Sequence, residues 1–98
     1  MASSKDFLDF VLEQLSGLDD INYRAMMGEY IIYYRGKIIG GIYDNRLLVK
    51  PIDVALEILP NAKMEIPYPG GKPMIMVPDV EDSELLTRLF NAMYGELK

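Results

Sequence analysis

"YIIYYRGKIIGGIYDNRLLVK", residues Tyr30 to Lys50, is the stretch that decides the fold. β-Branched and aromatic residues dominate it, which is typical of strands. Arg35–Gly36 and Asp44–Asn45 interrupt it, and Gly, Asp and Asn tolerate the positive φ that two-residue hairpin loops require. The stretch therefore predicts consecutive antiparallel strands joined by tight turns. If only one face of this sheet packs against a core, the role of the other face has to be explained.

Helical periodicity flanks this stretch on both sides. The first helix is predicted from about Ser4 to Gly17, with a serine cap and a glycine stop. A short helix between Pro51 and Pro60 follows the strands, then a Pro- and Gly-rich loop, the strand "MIMV" and an acidic-capped final helix. The order helix, three or four strands, helix, strand, helix predicts one α+β domain over residues 1–98. We expect two layers, an antiparallel meander with helices packed on one face.

Composition argues against several function classes. The 98 residues include no histidine and no cysteine. The commonest general base, the commonest transition-metal ligand and any thiol nucleophile are therefore missing. We expect no catalytic residue, no metal and no cofactor, and hence no enzyme. No apolar run is long enough to span a membrane and no basic–apolar leader begins the sequence, so we expect a cytoplasmic protein.

The charge distribution leaves one binding role open. A formal net charge of −5 argues against a general DNA-binding surface. Basic residues are nevertheless concentrated in the sheet region, whereas the flanking helices are acidic. Lys37, Arg46, Lys50 and Lys72 could bind a small anionic ligand or nucleic acid, which is the alternative function.

The two hairpins also predict which residues share a face of the sheet. An uninterrupted register places Tyr34 opposite Lys37 and Ile32 opposite Ile39. One face is then free of charge and is the predicted core, with Ile31, Tyr33, Ile38, Ile42, Leu47 and Val49. The other face mixes tyrosines, aliphatic residues and cations, which is the composition of a partner surface. This predicted interaction face comprises Tyr30, Ile32, Tyr34, Lys37, Ile39, Tyr43, Arg46, Leu48 and Lys50.

Three explanations of the predicted interaction face remain open. A helix or the Pro-rich loop could cover its apolar part. A second copy of the chain could pack against it sheet to sheet, which makes a homodimer the expected assembly. Its aromatic residues and cations could instead stack and bind nucleic acid or a small ligand. We expect a protein partner, without direct DNA binding and without a membrane.

The segment "MMGEYIIYY", with Met26, Met27 and Gly28 before the strand, resembles the N-terminal domain of the TfoX (Sxy) family. Members carry Met–Phe–Gly–Gly–Tyr–Gly there, so Met27 stands at the aromatic position and Glu29 at the second glycine. The resemblance continues through Gly36 in the first hairpin and through "YPGGKPMIMVP", which contains Gly71 and Lys72. It spans essentially the whole chain.

The resemblance implies a secretion-chaperone-like α+β fold and a regulatory function. Founding members of the family are bacterial regulators of natural competence, thought to act with the cAMP receptor protein at certain promoters. They carry a second, C-terminal domain that is not found in this sequence. No catalytic residue can be transferred, because the family has no established one. Lys50 and Lys72 match family positions, and Gly28 is expected at positive φ where the chain turns.

Overall fold

The computed structural model describes residues 3–97 and contains, within them, three helices and six strands. The helices are α1 (Lys5–Gln14), α2 (Asp53–Ile58) and α3 (Ser83–Glu96). The strands are β1 (Ile21–Met26), β2 (Glu29–Tyr34), β3 (Lys37–Ile42), β4 (Leu47–Val49), β5 (Met64–Glu65) and β6 (Met74–Met76). They form one sheet in the order β1-β2-β3-β4-β6-β5, and every neighbouring pair is antiparallel. The predicted α+β fold is confirmed.

Side-chain caps fix where two of the helices begin. The Ser4 hydroxyl accepts the N–H of Phe7 at 3.1 Å, as predicted for α1. The Asp82 carboxylate accepts the N–H of Leu85 at 3.0 Å and starts α3. The helix α1 ends at Gln14, and the remaining residues of the predicted helix form turns instead.

Tight turns with two positive-φ residues join the first four strands. Both predicted hairpin loops are confirmed, and Met27–Gly28 forms a third between β1 and β2. The φ angles are 52° and 84° at Met27 and Gly28, 51° and 83° at Arg35 and Gly36, and 52° and 55° at Asp44 and Asn45. Positive φ at both central residues is the requirement of a type I′ hairpin, whose twist matches that of the strands. The expectation for Gly28 is confirmed.

A β-bulge in β3 changes the register that the hairpins alone would give. Tyr33 pairs with Ile38, but Ile32 pairs with Gly40, so Ile39 has no partner of its own on β2. Beyond the bulge, Tyr30 lies opposite Ile42 rather than opposite Gly41. A shift of one residue moves a strand's side chains to the other face. The faces of β2 are therefore the reverse of the prediction.

The core lies between the sheet and the helices, and it contains residues predicted to face outwards. Ile32 and Ile39 are completely buried there, and Tyr34 donates its hydroxyl to Asn91 of α3 at 2.7 Å. The placement of these three residues on an uncovered face is wrong, and so is that of Tyr30, which packs against the same core. Helix residues that complete the core are Leu8, Val11, Ala55, Leu86, Leu89, Phe90 and Met93.

The other face of the sheet carries part of what was predicted as core. Ile31 and Tyr33 are half-buried and Ile38 is 41% exposed, so their assignment to the core is wrong. We call the surface formed by Arg24, Met26, Ile31, Tyr33 and Ile38 the open face. These residues share one side because Arg24 pairs with Ile31, and Tyr33 pairs with Ile38.

Candidate functional site

The loop of residues 66–73 covers one end of the face opposite the helices. Tyr43 and Leu48, which the sequence analysis assigned to this side, are 8% and 0% exposed and lie outside the helix-side core. The Tyr43 ring packs against Tyr68 of this loop with the ring centroids 6.1 Å apart. The explanation in which the Pro-rich loop covers the apolar part of the predicted interaction face therefore holds for Tyr43.

A cleft of about 490 Å³ separates this loop from the hairpin of β1 and β2. We call it the tyrosine cleft, and its lining residues are Met26, Met27, Glu29, Tyr30, Ile31, Tyr43 and Tyr68. The side chain of Tyr30 lies on the helix side, where its ring meets Tyr23 edge to face at 5.8 Å. The rings that the cleft presents are therefore those of Tyr43 and Tyr68.

Glu29 forms the polar end of the cleft and holds three chain segments together. Its Oε1 accepts the N–H of Ser3 at 2.9 Å and the Ser3 hydroxyl at 2.6 Å. The N–H of Asp44 donates to Oε2 at 3.2 Å, and the N–H of Asn45 donates to the Ser3 hydroxyl at 2.9 Å. We call Ser3, Glu29, Asp44 and Asn45 the clasp.

The phenol of Tyr43 is held in its neutral form. Burial raises the pKa of Tyr43 above its ordinary value, and Tyr68 and the negative charge of Glu29 raise it further. Two phenols and one carboxylate therefore come close to each other at this end of the cleft.

Two of the four cationic residues predicted to bind a ligand contact other residues of this chain instead. Lys37 donates to the Leu97 carbonyl at 2.8 Å and lies 4.6 Å from the centroid of the Tyr94 ring, so it packs on the helix side. Arg46 forms a 2.6 Å ion pair with Glu65 and donates to the Tyr43 carbonyl at 3.1 Å. These contacts tie Leu97, which follows α3, to β3, and β5 to the residue before β4.

The other two cations and the family-motif residues lie at scattered positions. Lys50 is half-buried after β4, where its N–H donates to the Ile39 carbonyl, and Lys72 is exposed. Gly36 is in a hairpin turn, and Gly71 donates its N–H to the Tyr68 carbonyl in the loop. Of the predicted motif residues, only Met26 and Met27 line the cleft.

The open face ends at an edge strand, β1, which pairs with β2 on one side only. β1 is an edge of the sheet, and every residue from Asn22 to Met26 is exposed. Its side chains on the open face are Asn22, Arg24 and Met26. No role was predicted for this strand from the sequence, although its six residues without Pro or Lys are the signal of an unprotected edge.

Two kinds of feature are absent from residues 3–97. These residues contain no group of three or more acidic side chains arranged to hold a metal ion. None of their helices has the length and apolar character needed to cross a lipid bilayer.

Comparison with known proteins identifies relatives of this fold. The chain is 35% identical over 80 residues to a protein of Spirochaeta aurantia described as an uncharacterized 12.7 kDa protein in the trpE 5′ region. The match covers 82% of this chain and 70% of the relative. The family model of the TfoX N-terminal domain matches residues 13–92, from within α1 to within α3. The chain belongs to the TfoX N-terminal domain family.

Proposed function

We propose that this chain is a non-enzymatic regulatory domain that acts by self-association, with β1 pairing to β1 of a second copy. Family membership supports the regulatory role, since the family takes its name from regulators of competence. A cytoplasmic location is part of this proposal. The observation that carries the self-association is the unprotected edge of the sheet at β1.

Natural edge strands are usually short or blocked, because unpaired backbone groups recruit other strands. The opposite edge of this sheet, β5, has only two residues. β1 has six, it contains no proline or lysine, and its pairing with β2 runs without a bulge from Ile21 to Met26. The contrast between the two edges supports β1 as the side that takes a partner.

The alternation of an antiparallel ladder defines which backbone groups are free. The N–H of Arg35 donates to the Asp20 carbonyl at 2.9 Å, next to the pair formed by Ile21 and Tyr34. Since hydrogen-bonded and non-hydrogen-bonded pairs alternate, Ile21, Tyr23 and Ala25 direct their N–H and C=O groups away from β2.

A second copy of β1 fits this edge without opposing like charges. Antiparallel pairing about a two-fold axis at Tyr23 would place Tyr23 opposite its own copy, and Ile21 opposite Ala25. Arg24, the one charged residue of the strand, would then lie opposite Asn22 rather than opposite another arginine. Aromatic pairs across strands are favourable, and opposed like charges are not. The isologous pairing is therefore self-complementary.

The test is a proline at an outward-facing N–H, compared with a residue that keeps the N–H. Ala25→Pro removes one donor from the free edge and none from the ladder with β2. Ala25→Thr keeps the donor and has a higher strand propensity. We expect sedimentation velocity to give a dimer for the parent and Ala25→Thr, and a monomer for Ala25→Pro.

Circular dichroism of the same samples separates dissociation from unfolding. A folded Ala25→Pro that stays dimeric would show that β1 is not the interface. A parent protein that sediments as a monomer at every concentration would overturn the self-association itself.

A further inference from the structure

The tyrosine cleft has the chemistry of a site for an organic cation. It combines two aromatic rings and two methionines with one carboxylate, and its lining includes no lysine or arginine. The ion pairs within residues 3–97 are Lys5–Asp9 and Arg46–Glu65, so Glu29 has no cationic partner among them. We propose that the cleft binds a small methylated ammonium ion, with its charge against Glu29 and its methyl groups against Tyr43 and Tyr68.

The electrostatics of the cleft favour a positive ligand. Aromatic faces are negative, and a cation over a tyrosine ring is attracted most strongly where water is excluded. Tyr43 is nearly buried, and the raised pKa of its phenol has the Glu29 charge among its causes. Burial is the largest cause of that raised pKa, and the Glu29 charge that adds to it would also attract a bound cation.

The methionines give an independent reason to expect an apolar ligand surface here. Met27 is 96% exposed in the turn between β1 and β2, with a φ of 52°. Asn, Asp or Gly would adopt this conformation more readily, so neither solvation nor turn geometry favours methionine at this position. A thioether is flexible and polarisable, and it packs adaptably against ligands of varied shape. Met26 and Met27 supply an adaptable apolar wall of this kind to the cleft.

The cationic side chains of Arg35 and Lys37 contact aromatic rings outside the cleft. Arg35 lies 5.4 Å from the Tyr34 ring and 5.5 Å from the Tyr94 ring, and Lys37 lies over Tyr94. These are the cation–π contacts of the described residues, and none of them involves Tyr43 or Tyr68. Within residues 3–97, no cation therefore lies over the cleft's rings, and Tyr68 presents the more exposed of the two.

The experiment compares choline with its neutral isostere 3,3-dimethylbutan-1-ol, which has the same branched head without the charge. Both are titrated into ¹⁵N-labelled protein, and amide shifts are followed. We expect choline to bind about tenfold more tightly than the alcohol, with the largest shifts at Met26, Met27, Ile31, Tyr43 and Tyr68. Equal binding of the two, shifts confined to other surfaces, or no saturable binding of choline would each overturn the proposal.

Two variants and a matched control test the residues assigned to the site. Tyr68→Ala and Glu29→Gln should each weaken choline binding about tenfold. Glu29→Gln should leave binding of the neutral alcohol nearly unchanged, because the alcohol carries no charge. Ile66→Ala changes a similarly exposed residue of the same loop that does not line the cleft, and it should bind choline as the parent does. If Glu29→Gln fails to fold, Tyr68→Ala decides, since Tyr68 is 55% exposed. An unchanged affinity in Tyr68→Ala would overturn the assignment.

Discussion

The ring of Tyr43 leaves no room for a side chain at Gly41, its neighbour on the same face of the sheet. A Cβ built on Gly41 would lie 2.6 Å from Cε2 of Tyr43 and 2.7 Å from the Tyr30 carbonyl. Such distances are too short for any side chain, so the tyrosine ring occupies the space that a side chain at Gly41 would need. The ring of Tyr43 also packs against Tyr68, which belongs to a loop far along the chain. The hairpin register alone predicted the side on which Tyr43 lies, but its burial depends on that distant loop.

The buried phenol makes stability fall in alkaline solution. Because burial raises the folded-state pKa of Tyr43, its neutral form is favoured in the fold. This stability is fully present below the unfolded-state pKa near 10, and it is lost as pH rises through the higher folded-state pKa. We expect the urea midpoint of the parent to fall more steeply above about pH 10 than that of Tyr43→Phe. Parallel pH profiles would contradict the assignment.

At the scale of elements, local signals predicted the strands and turns, and one unpaired residue changed the faces. The alternation of Tyr30 to Tyr34 is apolar on both sides, so it does not identify the buried side. The face of β2 therefore depended on the register with β3, which the bulge at Ile39 shifts. Gly40 and Gly41 inside a strand were the available signal, since such glycines often mark bulges. β5 has two residues and no pattern of its own.

The bulge predicts opposite behaviour for two adjacent isoleucines. Ile39 is fully buried on the helix side, whereas Ile38 is 41% exposed on the open face. Ile39→Ala should lower the free energy of unfolding by about 2–5 kcal/mol, since it leaves a cavity in the core. Ile38→Ala should change it by about 0.5 kcal/mol or less. Urea denaturation of the two variants measures both values, and a larger loss at Ile38 would mean that the register continues without a bulge.

At the scale of the molecule, the clasp joins segments that are distant in the sequence. Through Glu29, the chain before α1 is tied to the first strand of one hairpin and to the turn of another. From the sequence, Glu29 was recognisable only as a departure from the family's glycine. Neither the clasp nor the tyrosine cleft could be predicted from local patterns. Each consists of three or more segments that are distant in the sequence and come into contact only when the sheet has formed.

The clasp should stabilise the whole domain through hydrogen bonds to a charge. Such bonds contribute about 1.5–3 kcal/mol, and removing the carboxylate leaves the buried Ser3 hydroxyl without its acceptor, while the Ser3 N–H keeps the Gly28 carbonyl at 3.0 Å. Glu29→Ala should therefore lower the free energy of unfolding by about that amount, and Ser3→Ala by less, because the Ser3 N–H still binds Glu29. If the two residues act through each other, a double-mutant cycle should give a coupling of about 0.5–3 kcal/mol. Glu13→Ala, an exposed carboxylate on α1, should stay within about 0.5 kcal/mol of the parent. Additive losses in the cycle would mean that the bond between the Ser3 hydroxyl and Glu29 does not contribute to stability, which would contradict the coupling predicted for the clasp.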